Sequence, residues 1–160
     1  MQPCIVMTTY TESTLDPTAM SGLELLRAWQ AGGAGTDRPS IGRLLGMVPK
    51  EIEEGTVTFA VTPQPDFANP LGTVHGGVCA TLLDSVMGCA VHTTLPAGVG
   101  YTTLELKVNY IRTVAVDAGE LTGVGTVIHA GRTTATAEGK VYSDDGKLVA
   151  HGTTTCIVFR

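Results

Sequence analysis

Charge is scarce in this chain. Asp, Glu, Lys and Arg make up 16% of its 160 residues, and the formal net charge is −5. A soluble domain ordinarily carries roughly a quarter, so a surface this poor in charge predicts that part of it is hidden in a homo-oligomer. The ten Lys and Arg form no basic stripe, which excludes the electrostatic footprint of a nucleic-acid binder. No apolar run approaches the roughly 20 residues that span a bilayer. Residues 1–10 carry no Lys or Arg before their short apolar patch, so no secretory signal is expected there. These absences predict a cytoplasmic protein without nucleic-acid or membrane partners.

Clustered cysteine is also missing. Of Cys4, Cys79, Cys89 and Cys156, none forms a C-x-x-C pair, and no Cys or His group has zinc-ligand spacing. No metal and no other cofactor is expected. On one helix Cys79 and Cys89 would stand about 15 Å apart at ~1.5 Å per residue, too far to bridge. All four read as reduced thiols.

What remains is long enough for one domain with a substantial core. Ser21 is a plausible cap for a short helix ending at Gln30, and Gly32-Gly33 stops it. Residues 31–39 read as a linker, and residues 40–45 as one more helical turn. Short strands are expected at 47–53 and 56–61, then a Pro-rich loop over 62–74. A long helix runs from His75 or Gly76 to Thr94, ended by Pro96 and Gly98. Thereafter the pattern has period two, with strands at 101–110, 120–129, 133–143 and 148–159. Asp144-Asp145-Gly146 marks a hairpin turn. Short links predict that these last four strands are antiparallel neighbours. A helix apolar nearly all round needs a sheet that curls about it. The fold class is therefore α+β, residues 1–40 forming an N-terminal helical extension and residues 41–160 the main domain.

One carboxylate stands inside the apolar helix. Between Phe67 and Leu104 the only formally charged residue is Asp84. A carboxylate on a buried helix is costly unless paired, hydrogen-bonded or used. Upstream lies Asn69-Pro70-Leu71-Gly72-Thr73-Val74-His75-Gly76-Gly77, a loop that opens into the helix.

The order of elements, the N-P-x-G-x-x-H-G-G loop, and L-x-D at Leu82-Leu83-Asp84 resemble the hotdog-fold acyl-CoA thioesterases. In particular they resemble the phenylacetate-degradation type, a 4-hydroxybenzoyl-CoA thioesterase-like group. Leu104-Glu105-Leu106-Lys107-Val108-Asn109-Tyr110 is also family-like, and Thr113 departs from the proline many relatives have. The resemblance covers residues 41–159. It implies a hotdog fold, a curved antiparallel sheet wrapped around one long central helix, and hydrolysis of an acyl-CoA thioester without a cofactor. It implies a homo-oligomer as well, at least a dimer and by family habit a tetramer of two dimers.

The same resemblance assigns roles. The Gly76 N–H would polarise the thioester carbonyl, which agrees with the unpaired donors and dipole of a helix N-terminus. Asp84 would be the nucleophile or the base that activates water. Asn69 would hold the water or the carboxylate, and His75 would shape the loop or touch the thioester. The family has a hydroxyl residue at Thr102 or one place on. Strand parity puts Thr102 on the core face with Leu104 and Leu106, and Thr103 on the other, so Thr102 is the expected partner. Gly77, Thr103 and Arg132 are candidate substrate contacts. For Gly77 tight packing, and for Arg132 a solvated strand charge, is the simpler explanation. Asp84 alone could be a structural acid, and Asn69 a turn residue before Pro70.

Gly76 and Asp84 lie eight residues apart, so about 12 Å apart along one helix at ~1.5 Å per residue. An oxyanion donor and a nucleophile must both lie within roughly 3 Å of one carbonyl group. One chain cannot supply both, so the expected site combines Asp84 of one subunit with Gly76 and Asn69 of another. A non-catalytic hotdog module that merely binds acyl-CoA is the alternative.

Overall fold

The computed structural model describes Asp16, residues 18–32 and residues 39–159. Cys4 and most of the N-terminal extension lie outside the described residues. Helix α1 spans Gly22–Gln30, α2 Ile41–Leu44 and α3 Gly76–Thr93. Among the described residues six strands follow the expected segments closely: β1 Val48–Glu53, β2 Thr56–Val61, β3 Gly100–Tyr110, β4 Leu121–Ala130, β5 Thr134–Tyr142 and β6 Leu148–Phe159.

The strands form one antiparallel sheet in the order β1-β2-β4-β5-β6-β3. The hairpins β4–β5 and β5–β6 pair as the short links require. The last four strands are antiparallel neighbours, as expected, but not in chain order: β3 pairs with β6 at the edge of the sheet and not with β4. Residues 111–120 are too long for a hairpin and carry the chain across to β4, which pairs with β2.

The sheet wraps α3, whose Leu82, Leu83, Val86 and Met87 have no exposed surface. Contact this close needs strands without side chains under the helix. Gly125 pairs with Gly139, and Gly139 with Gly152, so three glycines line up across β4, β5 and β6. A Cβ on Gly125 would run into the backbone of Val86 and Met87 in α3, and one on Gly139 would crowd Leu83 and Met87. The row is a groove in which the helix lies. This is the hotdog arrangement.

Local chemistry fixes the helix ends. The Ser21 hydroxyl and the Glu24 carboxylate form a capping box on α1. At the end of α3, the Thr93 hydroxyl donates to the Ala90 carbonyl at 2.6 Å and accepts the Gly55 N–H at 2.7 Å, tying the helix to the β1–β2 turn. Helix α1 packs against this end. Gly22 N–H donates to the Leu95 carbonyl, Leu26 joins the core, and Trp29 meets the Phe59 ring edge-on at 5.4 Å.

Candidate active site

Helix α3 begins as the loop motif suggests. His75 is its N-cap, and its Nδ1 accepts the Gly77 N–H at 2.9 Å. That bond makes Nδ1 an acceptor, so a neutral His75 carries its proton on Nε2. A Cβ on Gly77 would fall 2.8 Å from Nδ1, so the cap itself requires glycine there. The Val78 N–H goes to the His75 carbonyl. The Gly76 N–H, the first donor of α3, finds no acceptor among the described residues.

Asn69 organises the approach to this start. Its Oδ1 accepts from the Leu71 and Thr73 N–H groups, and its Nδ2 donates to the Thr73 hydroxyl at 2.9 Å. This is the turn-forming use of asparagine. It still places Asn69 in the wall of a cleft shared with Gly76 and Tyr110.

Tyr110 was not among the expected site residues. Its hydroxyl donates to the Gly76 carbonyl at 3.0 Å. The peptide unit between Gly76 and Gly77 is thus held at both ends, its C=O by Tyr110 and its N–H by His75. A Cβ on Gly76 would lie 3.0 Å from the Tyr110 ring, so glycine there also makes room for Tyr110. Nothing in the spacing of the two residues announces this contact, because it depends on β3 crossing to the sheet edge.

Asp84 sits midway along α3 on a half-buried stripe with Gly77, Thr81, Ser85, Cys89 and His92, the side of the helix the sheet leaves least covered. The Thr103 hydroxyl donates to Asp84 Oδ1 at 2.9 Å. The other carboxylate oxygen has no hydrogen-bond partner among the described residues.

The expected inward orientation of Thr102 is therefore corrected: Thr102 is exposed, and Thr103 faces the helix. The cause is a β-bulge. Thr103 pairs with Cys156 but Glu105 pairs with Thr155, so Leu104 is an extra residue. Before the bulge Tyr101 and Thr103 stand opposite buried Val158 and Cys156; after it Leu106, Val108 and Tyr110 stand opposite Thr154, Gly152 and Ala150. Parity counted back from Leu106 inverts across Leu104, which is 61% exposed. Thr154 stabilises the bulge by donating to the Glu105 carbonyl at 2.7 Å.

Arg132 is exposed in the β4–β5 turn and lines neither groove beside the start of α3. Cys79, Cys89 and Cys156 are free thiols. Burial pushes the Cys89 thiol up to about 12, against the lowering effect of its hydrogen bond with Tyr101 and helped by the nearby Asp84 charge. No group of three His, Cys, Asp or Glu able to hold a metal occurs among the described residues, and none of their helices is long and apolar enough to cross a membrane.

Residues 71–150, the segment holding the helix start, Asp84 and Thr103, match the thioesterase superfamily model. The chain belongs to the thioesterase superfamily. A Caenorhabditis elegans protein, named an esterase by inference, is 30% identical to this superfamily member over 145 residues, covering 89% of this chain and 83% of that one. A Ralstonia eutropha protein related to phenylacetic acid degradation, named a thioesterase by inference, has a solved structure that superposes with a TM-score of 0.73. It is 32% identical, with 82% of this chain and 97% of that chain covered. The PaaI protein of the Escherichia coli phenylacetic acid degradation operon shares the fold at 21% identity, with a TM-score of 0.73 over 84% of this chain and 95% of that one.

Proposed function

We propose that this thioesterase-superfamily protein hydrolyses acyl-CoA thioesters, with Asp84 as nucleophile or general base and the Gly76 N–H as oxyanion donor. The observation that carries the reading is Asp84 itself. It is the one charged side chain on α3, aimed by Thr103 through one oxygen and, among the described residues, without a hydrogen-bond partner at the other.

The chemistry follows from those two groups. Either that second carboxylate oxygen attacks the thioester carbonyl, or it takes a proton from a water that attacks. Negative charge gathers on the carbonyl oxygen, where the Gly76 N–H meets it; one such donor is typically worth ~3 kcal/mol. The C–S bond breaks, coenzyme A leaves as thiolate and is protonated, and the acyl group leaves as a carboxylic acid. In the nucleophilic route, water hydrolyses an acyl-aspartate anhydride in a second step. Thr103, not Thr102, holds the carboxylate in this scheme, and Tyr110 with His75 fixes the peptide unit next to the donor.

Gly76 and Asp84 lie on one continuous helix, about 12 Å apart at ~1.5 Å per residue. The site is therefore completed by a second copy of the chain. Strand β3 supports this. It is an edge of the sheet 11 residues long, and a long edge strand left unpaired is a template for another chain. A two-fold dimer through this edge would carry two equivalent shared sites. A module that only binds acyl-CoA has no use for an aimed carboxylate beside an anionic ligand.

A panel of acyl-CoAs assayed for thiol release tests the reading. The wild type should release thiol from some of them, and Asp84→Ala should lower turnover about 10²- to 10⁴-fold on the best substrate. Near-native turnover by Asp84→Ala would exclude Asp84 from the chemistry.

A further inference from the structure

Two grooves are lined by residues at the start of α3. One, of about 270 Å³, is walled by Asn69, Gly76, Tyr110, Arg112 and Thr113. It is rich in hydrogen-bonding groups, and Arg112, its one cation, is anchored by its guanidinium on the Leu148 carbonyl. The other, of about 370 Å³, is the more apolar: Ile41, Leu45, Phe67 and Val78 wall it, with His75 and Gly77 beside the helix start and Asp66 and Thr81 as its other polar side chains. Gly76 lines the polar groove and its neighbours His75 and Gly77 line the apolar one, so the two grooves flank the Gly76 N–H, which has no acceptor among the described residues.

A coenzyme A thioester has the same layout. From its carbonyl run two arms, an acyl group on one side and the amide-bearing pantetheine, leading to phosphates, on the other. We propose that the apolar groove takes the acyl group and the polar groove takes the pantetheine, so that Ile41 of α2 selects the acyl chain. The inference rests on the thioesterase reading above and extends it to the substrate's two arms.

Three features support the assignment. Pantetheine carries amides and needs donors and acceptors, in which the polar groove is the richer, and Arg112 suits its anionic end. The apolar groove would return about fourfold in affinity for each methylene it covers. Its wall includes Ile41, 52% exposed, a large apolar side chain the fold itself leaves uncovered. An apolar cavity of about 150 Å³ holds benzene, so the groove admits a phenyl ring or an alkyl chain of similar size. Helix α2 and its cap Ser40 belong to the region joining the N-terminal extension to β1, which gives that region a role in specificity.

The test compares acetyl-CoA, hexanoyl-CoA and phenylacetyl-CoA in the full chain. In Ile41→Trp, which fills the groove from an exposed position, the kcat/KM ratio of hexanoyl or phenylacetyl over acetyl should fall about tenfold or more. In Arg112→Gln all three should fall together and the ratio should hold. An unchanged ratio in Ile41→Trp, or a ratio that moves in Arg112→Gln, overturns the assignment. A binding measurement separates it from the catalytic reading. S-hexyl-CoA, a thioether that cannot be hydrolysed, should bind the wild type about tenfold or more tighter than coenzyme A, and Ile41→Trp should erase that gain. If Ile41→Trp fails to fold, Ile41→Ala should still lose several-fold of it. Tight thioether binding without hydrolysis of any thioester would sink the thioesterase reading and leave the groove assignment standing. No hexyl gain in the wild type, or an Ile41→Trp effect on dimer dissociation alone, would overturn the groove assignment.

Discussion

The Thr103 hydroxyl donates to Asp84 Oδ1 at 2.9 Å, joining the edge strand to the middle of the central helix. The bond exists because Leu104 is bulged, which turns Thr103 inward while Leu106, Val108 and Tyr110 keep facing the helix further on. Orientation of the carboxylate thus depends on one extra residue in β3.

Substitution of the two adjacent threonines should therefore differ sharply. Thr103→Val keeps the shape and removes the donor. A hydrogen bond to a charged group is worth about 1.5 kcal/mol or more, so turnover should fall about tenfold or more. Thr102→Val changes an exposed side chain and should alter turnover less than about twofold. Steady-state thiol release from both variants decides it, and equal effects would contradict the bulged geometry.

Gly125 carries a stability prediction. Its missing Cβ is where the α3 backbone at Val86 and Met87 lies, and backbone cannot rotate aside as a side chain can. Gly125→Ala should cost about 3 kcal/mol, roughly 10 °C in thermal midpoint. Gly146→Asn is the control. Gly146 has φ 77° in an open turn with no atom near its missing Cβ, and asparagine tolerates that conformation, so the midpoint should move little.

His92 carries a pH prediction. Burial against α1 and the Tyr101 ring, 5.3 Å away, disfavours the imidazolium and holds the group below its ordinary 6.5. Below 6.5 the unfolded chain takes up a proton that the folded chain resists, so stability falls as pH falls. Above 6.5 both states are neutral and the effect vanishes. The thermal midpoint should drop between pH 7.5 and 5.5, and His92→Phe, which keeps a ring on Tyr101, should flatten the drop. An identical pH profile in His92→Phe would contradict the assignment to this residue.

Much of the architecture is legible in local chemistry. Ser21, the His75-Gly76 start and Asp144-Asp145-Gly146 mark their ends and turns where caps and hairpins occur. The motif also marks the two groups on which the proposed chemistry rests, Gly76 and Asp84. What stays hidden depends on partners distant in sequence. Residues 111–120 do not declare which strand edge they lead to, so the β3–β6 pairing is invisible. Alternation alone cannot reveal the bulge at Leu104, and that is why Thr102 and Thr103 exchange faces. Gly125, Gly139 and Gly152 form a row only once two hairpins set their register. The Tyr110–Gly76 contact follows from the same crossing.

The most direct measurement mixes two inactive chains, Asp84→Ala and Gly76→Pro. Proline lacks the N–H and suits the first helical position, and His75, at ψ 134°, already has the extended backbone that precedes a proline. Its ring must displace Tyr110, so circular dichroism and sedimentation should first confirm a folded, assembled variant. After subunit exchange, half of the dimers are mixed and one site in each pairs an intact Asp84 with an intact Gly76. Thiol release should return, approaching about a quarter of wild type if each two-fold dimer carries two shared sites. Verified mixed dimers that remain as inactive as their parents would contradict a site shared between two chains.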